Sequence, residues 1–156
     1  MGGLCSWPGE ETGRRKDSHQ GLSVLCRAGN VVYKGKEFIL YCPGFSQWPY
    51  ELWVSPVVSD TRNTFGDISG DQLQELSEVI PKTTRVIIDK FSKHEALHKH
   101  PDENDVLFNF YIYPGRSWFV RIIPRLIHPG GFELASGIAV NIVEPEIAVV
   151  EYRKML

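Results

Sequence analysis

Most of the chain alternates between apolar and polar positions over short stretches, and one longer stretch changes to a helical period. Val31 to Tyr33 and Glu37 to Cys42 flank Lys34-Gly35-Lys36, which predicts two strands joined by a turn that needs a glycine. Pro43-Gly44 ends the second strand. Glu51 to Val58 alternates again, with Leu52 and Val54 on one face and Glu51, Trp53 and Ser55 on the other. A third strand covered on one side is expected there, and Pro56 puts its end near a sheet edge.

Ser69-Gly70-Asp71-Gln72 has the form of a capping box, in which the serine hydroxyl and the glutamine side chain satisfy free N–H groups at a helix start. Leu73, Leu76, Ile80, Thr84, Ile87 and Phe91 then recur at helical spacing, and Pro81 should kink the helix they line. His94 to Asn104 is polar and breaks at Pro101, the pattern of a frayed helix end followed by a loop. Asp105 to Tyr113 and Ser117 to Arg125 are the strongest strand signals and meet at a turn, Pro114-Gly115-Arg116. Gly130-Gly131 opens a stretch expected to be extended, Phe132 to Val143, and Pro145 starts a terminal helix running toward Lys154. The order strand, strand, strand, long helix, strand, strand, strand, helix is that of an α+β domain, an antiparallel sheet with helices on one side.

With 156 residues, 42% of them hydrophobic, the chain suits one domain with one core. Residues 1–22 lack periodicity and are expected to be a flexible leader, leaving 23–156 as the folded domain. A formal charge of -2 and dispersed basic residues exclude a charge-driven nucleic-acid binder. No apolar run is long enough for a membrane span, and a cytoplasmic protein is expected. Cys5, Cys26 and Cys42 fit neither a disulfide framework nor a CxxC zinc site, so unpaired thiols are expected, with Cys42 buried in a strand.

Three stretches, in order, carry a family resemblance: FILYCPGFSQWPYELWVSP from Phe38 to Pro56, NFYIYPGRSWFVRIIPR from Asn109 to Arg125, and GGFELASGIAVN from Gly130 to Asn141. Together they resemble the C-terminal half of the galactose-1-phosphate uridylyltransferases and their adenylyl-transferring relatives, in the histidine-triad (HIT-like) superfamily, over about residues 28–150. The resemblance implies a HIT-like antiparallel sheet with a long kinked helix and a C-terminal helix. It also implies a nucleotide sugar or hexose 1-phosphate as ligand, a homo-oligomer, and a His-Pro-His nucleophile in the other half of the family's chain. No His-Pro-His occurs here: His100-Pro101 and His128-Pro129 are followed by Asp102 and Gly130.

In the family, alternate strand positions present imidazoles to one phosphate or metal, and here those positions are Ser117, Phe119 and Arg121. Bacterial relatives often keep histidines there, and at the place of Tyr113, as ligands of a structural metal; these are missing, so no metal and no cofactor is expected. The resemblance implies that binding survives. Arg121 would offer its fork to a phosphate, or else be a solvated strand arginine. Phe132 and Glu133 match the family's sugar-contacting pair, with Gly130 and Gly131 allowing the backbone close to the sugar; the plain alternative for Glu133 is a surface strand glutamate. The expectation is a nucleotidyltransferase-family domain that binds but does not transfer unless a separate catalytic half supplies the histidine.

Two other readings come from the residues themselves. One is a non-catalytic interaction domain that dimerises. The other is a zinc protease, because His94-Glu95-Ala96-Leu97-His98 matches HExxH. Lys99-His100-Pro101 stops the helix under that motif, so a solvated helix end, or incidental zinc or nickel on His94, His98 and His100, is the simpler account. Trp48, Trp53 and Trp118 read as core or interface residues, with base stacking the alternative for Trp118.

Overall fold

The computed structural model describes residues 30–57, 64–92, 106–114 and 118–156. The leader 1–22, the HExxH stretch, Ser117 and most of the Pro114-Gly115-Arg116 turn lie outside the described residues. Five strands form one antiparallel sheet: β1 (Val31–Lys34), β2 (Phe38–Tyr41), β3 (Leu52–Pro56), β4 (Phe108–Tyr113) and β5 (Phe119–Pro124), in the order β1-β2-β3-β5-β4. Among the described residues three α-helices accompany it, α1 (Gly70–Phe91), α2 (Gly131–Ser136) and α3 (Pro145–Arg153). The α+β class expected from the sequence is the class found.

Both hairpins form where the alternation places them, β1 with β2 and β4 with β5. Gly35 leaves room for a carboxylate from α1. A Cβ there would stand 2.0 Å from Oε1 of Glu75, whose carboxylate accepts from the backbone N–H groups of Glu37 (2.9 Å) and Phe38 (3.0 Å). That contact clamps α1 to the first hairpin.

The third strand departs from its expected setting. β3 lies between β2 and β5, and all five of its residues are buried, so it is covered on both faces. Pro56 is tolerated because the pairing of β3 with β5 spans only Leu52 to Val54, so the missing N–H falls beyond that ladder.

The capping box of α1 is present, with Gln72 N–H donating to Ser69 Oγ (3.2 Å) and Ser69 N–H to Gln72 Oε1 (3.1 Å). The helix continues through Pro81. Its buried residues are Leu76, Val79, Thr83, Val86, Ile87 and Phe91, whereas Leu73 is exposed. The stripe is therefore turned relative to the expected one, and it admits Thr83 because that hydroxyl donates to the Val79 carbonyl at 2.7 Å. These side chains close over Phe38, Leu40, Leu52, Val54 and Ile122 of the sheet, with Tyr152 of α3, to form the core. Cys42 is buried just past β2, where burial, then the charges of Glu51 and Glu146, push its thiol up to about 12.

The expected strand from Phe132 to Val143 is not formed. Residues 131–136 make helix α2, closed by Gly137 at φ +69, and the residues after it up to α3 are irregular. Apolar residues at alternate positions suggested a strand, but Gly130, Glu133 and Gly137 are the start and stop of one short helix.

Tyr50, itself at φ +59, ties the ends together. Its hydroxyl donates to Glu151 (2.8 Å), Lys90 Nζ reaches the same oxygen (2.5 Å), and Tyr152 donates to the Tyr50 carbonyl (2.9 Å). The hydrogen bonds from Lys90 and then Tyr50 hold the Glu151 carboxyl below its ordinary 4.5, so its contribution is present above that value and lost as pH falls through the folded one. Burial, then Glu151, pushes Tyr50 up to about 12 from 10, so stability is also lost as pH rises between those values. Urea midpoints measured against pH should fall on both limbs, and Glu151→Gln should flatten the acid limb while lowering stability near neutrality.

Candidate functional site

Residues that share the non-helical face of the sheet follow from its register. Trp53 of β3 stands opposite Arg121 of β5, Arg121 opposite Tyr111 of β4, and Phe119 opposite Tyr113. Two rows of π-bearing side chains therefore cross the sheet side by side.

Arg121 is 5% exposed, and its fork closes on Glu51, which is 1% exposed: Nε donates to Oε1 at 2.6 Å and Nη2 to Oε2 at 2.9 Å. Nη1 donates to the Tyr111 hydroxyl (2.7 Å) and Nη2 also reaches Gln47 Oε1 (3.3 Å). Burial pulls the guanidinium pKa down, but Glu51 and then Tyr111 outweigh it, and the net shift is upward. Arg121 is thus neither a solvated strand arginine nor an open fork. Its carboxylate partner is equally engaged, accepting from Trp53 Nε1 (2.6 Å) and from the backbone N–H groups of Gln47 (3.1 Å) and Trp48 (3.3 Å). A bidentate pair with its remaining sites filled is the arrangement in which buried charges persist.

The second row is a column of rings. Trp53 and Phe119 stack at 3.8 Å with planes 7° apart, and Phe119 and Tyr113 stack at 4.9 Å and 8°. Phe45 meets the edge of Trp53 at 5.4 Å. A phenylalanine has no lone pair for phosphorus or metal, and the neighbouring cation repels a metal ion, so these residues do not fit the family's structural metal. Among the described residues no group of three His, Cys, Asp or Glu is placed to hold one. His94, His98 and His100 fall outside the described residues. Trp118 is buried against Phe38 and Phe65, which makes it a core residue and leaves no ring face for a base.

Gly130, Gly131, Phe132 and Glu133 stand together at the start of α2, on the surface rather than on a strand. Gly130 N–H donates to Glu133 Oε2 at 2.9 Å, so the glutamate caps its own helix. Its carboxylate keeps acceptor capacity for further donors. Phe132 is 59% exposed. The structure thus brings these four residues together, and it places Arg121 in a separate cluster with residues the sequence reading missed: Glu51, Gln47 and Tyr111. One acid and one base on the same face of adjacent strands was the signal available for the first of them.

The ADP-glucose phosphorylase of Arabidopsis thaliana is 25% identical to this chain, over 81% of the chain and 36% of the relative. The galactose-1-phosphate uridylyltransferase of Hypocrea jecorina is 25% identical, over 83% of the chain and 35% of the relative. The chain is similar to members of the galactose-1-phosphate uridylyltransferase family. It spans about a third of the length of those relatives. No protein-family model matches it. A crystal structure of an Arabidopsis thaliana ADP-glucose phosphorylase with bound ADP-glucose superposes with TM-score 0.69 at 21% identity, covering 83% of this chain and 42% of that one, so the two share a fold over that region. Among the described residues no helix is long and apolar enough to cross a membrane.

If the Glu51–Arg121 pair organises this face, Arg121→Met should destabilise the domain by about 3–5 kcal/mol, because it strands a buried carboxylate. The double variant with Glu51→Gln should be more stable than the sum of the single losses predicts. Chemical denaturation of the four proteins measures both.

Proposed function

We propose that this domain binds a nucleotide sugar or hexose 1-phosphate and does not itself transfer the nucleotidyl group. The binding residues in this reading are Gly130, Gly131, Phe132 and Glu133, with the Glu133 carboxylate accepting from hexose hydroxyls and the Phe132 ring covering a sugar face. Arg121 acts at one remove, by holding Glu51. The domain corresponds to the C-terminal half of a hexose-1-phosphate uridylyl- or adenylyltransferase, works in the cytoplasm, and serves hexose 1-phosphate metabolism of the galactose type.

The observation that carries the non-transferring part is the ring column. In ping-pong transfer a histidine nitrogen attacks the α-phosphorus, hexose 1-phosphate leaves, and a second hexose 1-phosphate takes the nucleotidyl group back. Phe119, packed between Trp53 and Tyr113, can do neither step. The nucleophile must then come from a catalytic half, on another chain or elsewhere in a longer one. What supports the ligand class is the likeness to an ADP-glucose phosphorylase and to a galactose-1-phosphate uridylyltransferase over four-fifths of the chain.

Isothermal titration should give binding heat with ADP-glucose or UDP-glucose, and Glu133→Ala should weaken that binding by roughly 10- to 100-fold, the range for a hydrogen bond to a charged group. Radiolabelled UMP or AMP should not move between hexose phosphates on the chain alone. A histidine phosphoramidate trapped on this polypeptide would overturn the proposal.

A second reading, a dimerising interaction domain, is favoured by one feature. Strand β4 is last in the sheet, and its Phe110 and Ile112 are 60% and 37% exposed. Among the described residues no strand lies beyond it, and an apolar edge of this kind suits a second copy or a catalytic half. Light scattering should find a dimer for the wild-type chain and a monomer for Phe110→Glu; a wild-type monomer that binds no sugar nucleotide would count against both readings.

A further inference from the structure

Helix α2 has six residues and buries none of them. Packing against a core therefore does not fix where it sits, and its ends must. On the N-terminal side the chain leaves β5 through Leu126, which is buried. On the C-terminal side Gly137 closes the helix, and the first side chain beyond it that grips another part of the molecule is Asn141. Its Nδ2 donates to the Ser46 carbonyl at 3.1 Å, and its Oδ1 accepts from Val143 N–H at 3.0 Å.

The loop that supplies the Ser46 carbonyl is held from below. Glu51 takes the N–H groups of Gln47 and Trp48, the two residues that follow Ser46, and Ser46 Oγ donates to the Pro43 carbonyl at 2.6 Å. Glu51 is in turn fixed by Arg121. A continuous series of hydrogen bonds runs from the buried ion pair, through the loop, to the segment that ends α2.

We infer that Asn141 and Glu51 are positioning residues, which set where the Phe132–Glu133 pair is presented. This rests on the sugar-binding reading for its functional consequence but not for its geometry. Neither residue touches the sugar. They act by denying α2 the freedom that a surface helix without buried side chains would otherwise have, and an ordered site binds more tightly because less ordering remains to be done on binding.

The deciding variant is Asn141→Asp. It is nearly isosteric and keeps the acceptor for Val143 N–H, but it replaces the donor to Ser46 with a carboxylate that the carbonyl repels. Amide NMR spectra of the full chain should show shifts at Phe132 to Gly137 with β2, β3 and β5 unchanged, and Glu51→Gln should move the same amides in the same direction. In titrations Asn141→Asp should raise the dissociation constant for ADP-glucose about tenfold, or roughly 1.4 kcal/mol, and leave that for ADP unchanged. A purely structural role would weaken both ligands together and would overturn the inference, as would unmoved α2 amides. If the wild-type chain binds neither ligand, moved amides still uphold the positioning while the sugar-binding reading falls. If Glu51→Gln does not fold, Asn141→Asp alone decides.

Discussion

The architecture of the non-helical face depends on one buried ion pair. Removing a carboxylate and a guanidinium from water costs several kcal/mol each, and only a bidentate geometry with every remaining donor and acceptor engaged offsets that loss. Glu51 and Arg121 meet those conditions because β3 and β5 are neighbours and because the loop before β3 folds back to offer its own N–H groups. The loop conformation, the indole of Trp53 and the hydroxyl of Tyr111 all follow from where that pair sits.

The same face explains what the domain can and cannot do. In an imidazole-bearing relative, alternate positions on a strand would converge on one phosphate or one ion. Here a ring column and a neutralised cation occupy the space, and each stacked pair adds about 0.5–1.5 kcal/mol beyond its buried area. Side chains on this face meet one another. In the proposed reading this face contributes stability, and binding falls to the surface segment around α2.

Much of this was legible in the sequence. The capping box at Ser69, the glycine turn at Gly35 and the start of α3 at Pro145 are local signals, and local signals report local structure. The turn at Gly35 was legible, but the carboxylate of Glu75 that fills the space beside it belongs to a helix far along the chain. Glu51 looked like an outward-facing strand residue because alternation cannot tell solvent from a second buried layer. The stripe on α1 was misplaced because Leu73, Ile80 and Thr84 fit the helical period as well as Val79, Thr83 and Val86 do, and only packing against the sheet decides between them. At Phe132 to Val143 the two periods competed, and the helix won over its first turn and a half because Glu133 caps it and Gly137 stops it. Arg121 was singled out as a phosphate fork or a solvated arginine, but its fork is claimed by Glu51, a partner set by strand order, which no single segment encodes.

Strand β4 reads Phe-Asn-Phe-Tyr-Ile-Tyr and carries neither a charge nor a proline over its six residues. Proteins usually blunt such borders with lysines, bulges or prolines, since open backbone N–H and C=O groups recruit any extended chain that passes. Within its six residues this border has none of those gatekeepers. Covering it would therefore serve solubility as well as assembly.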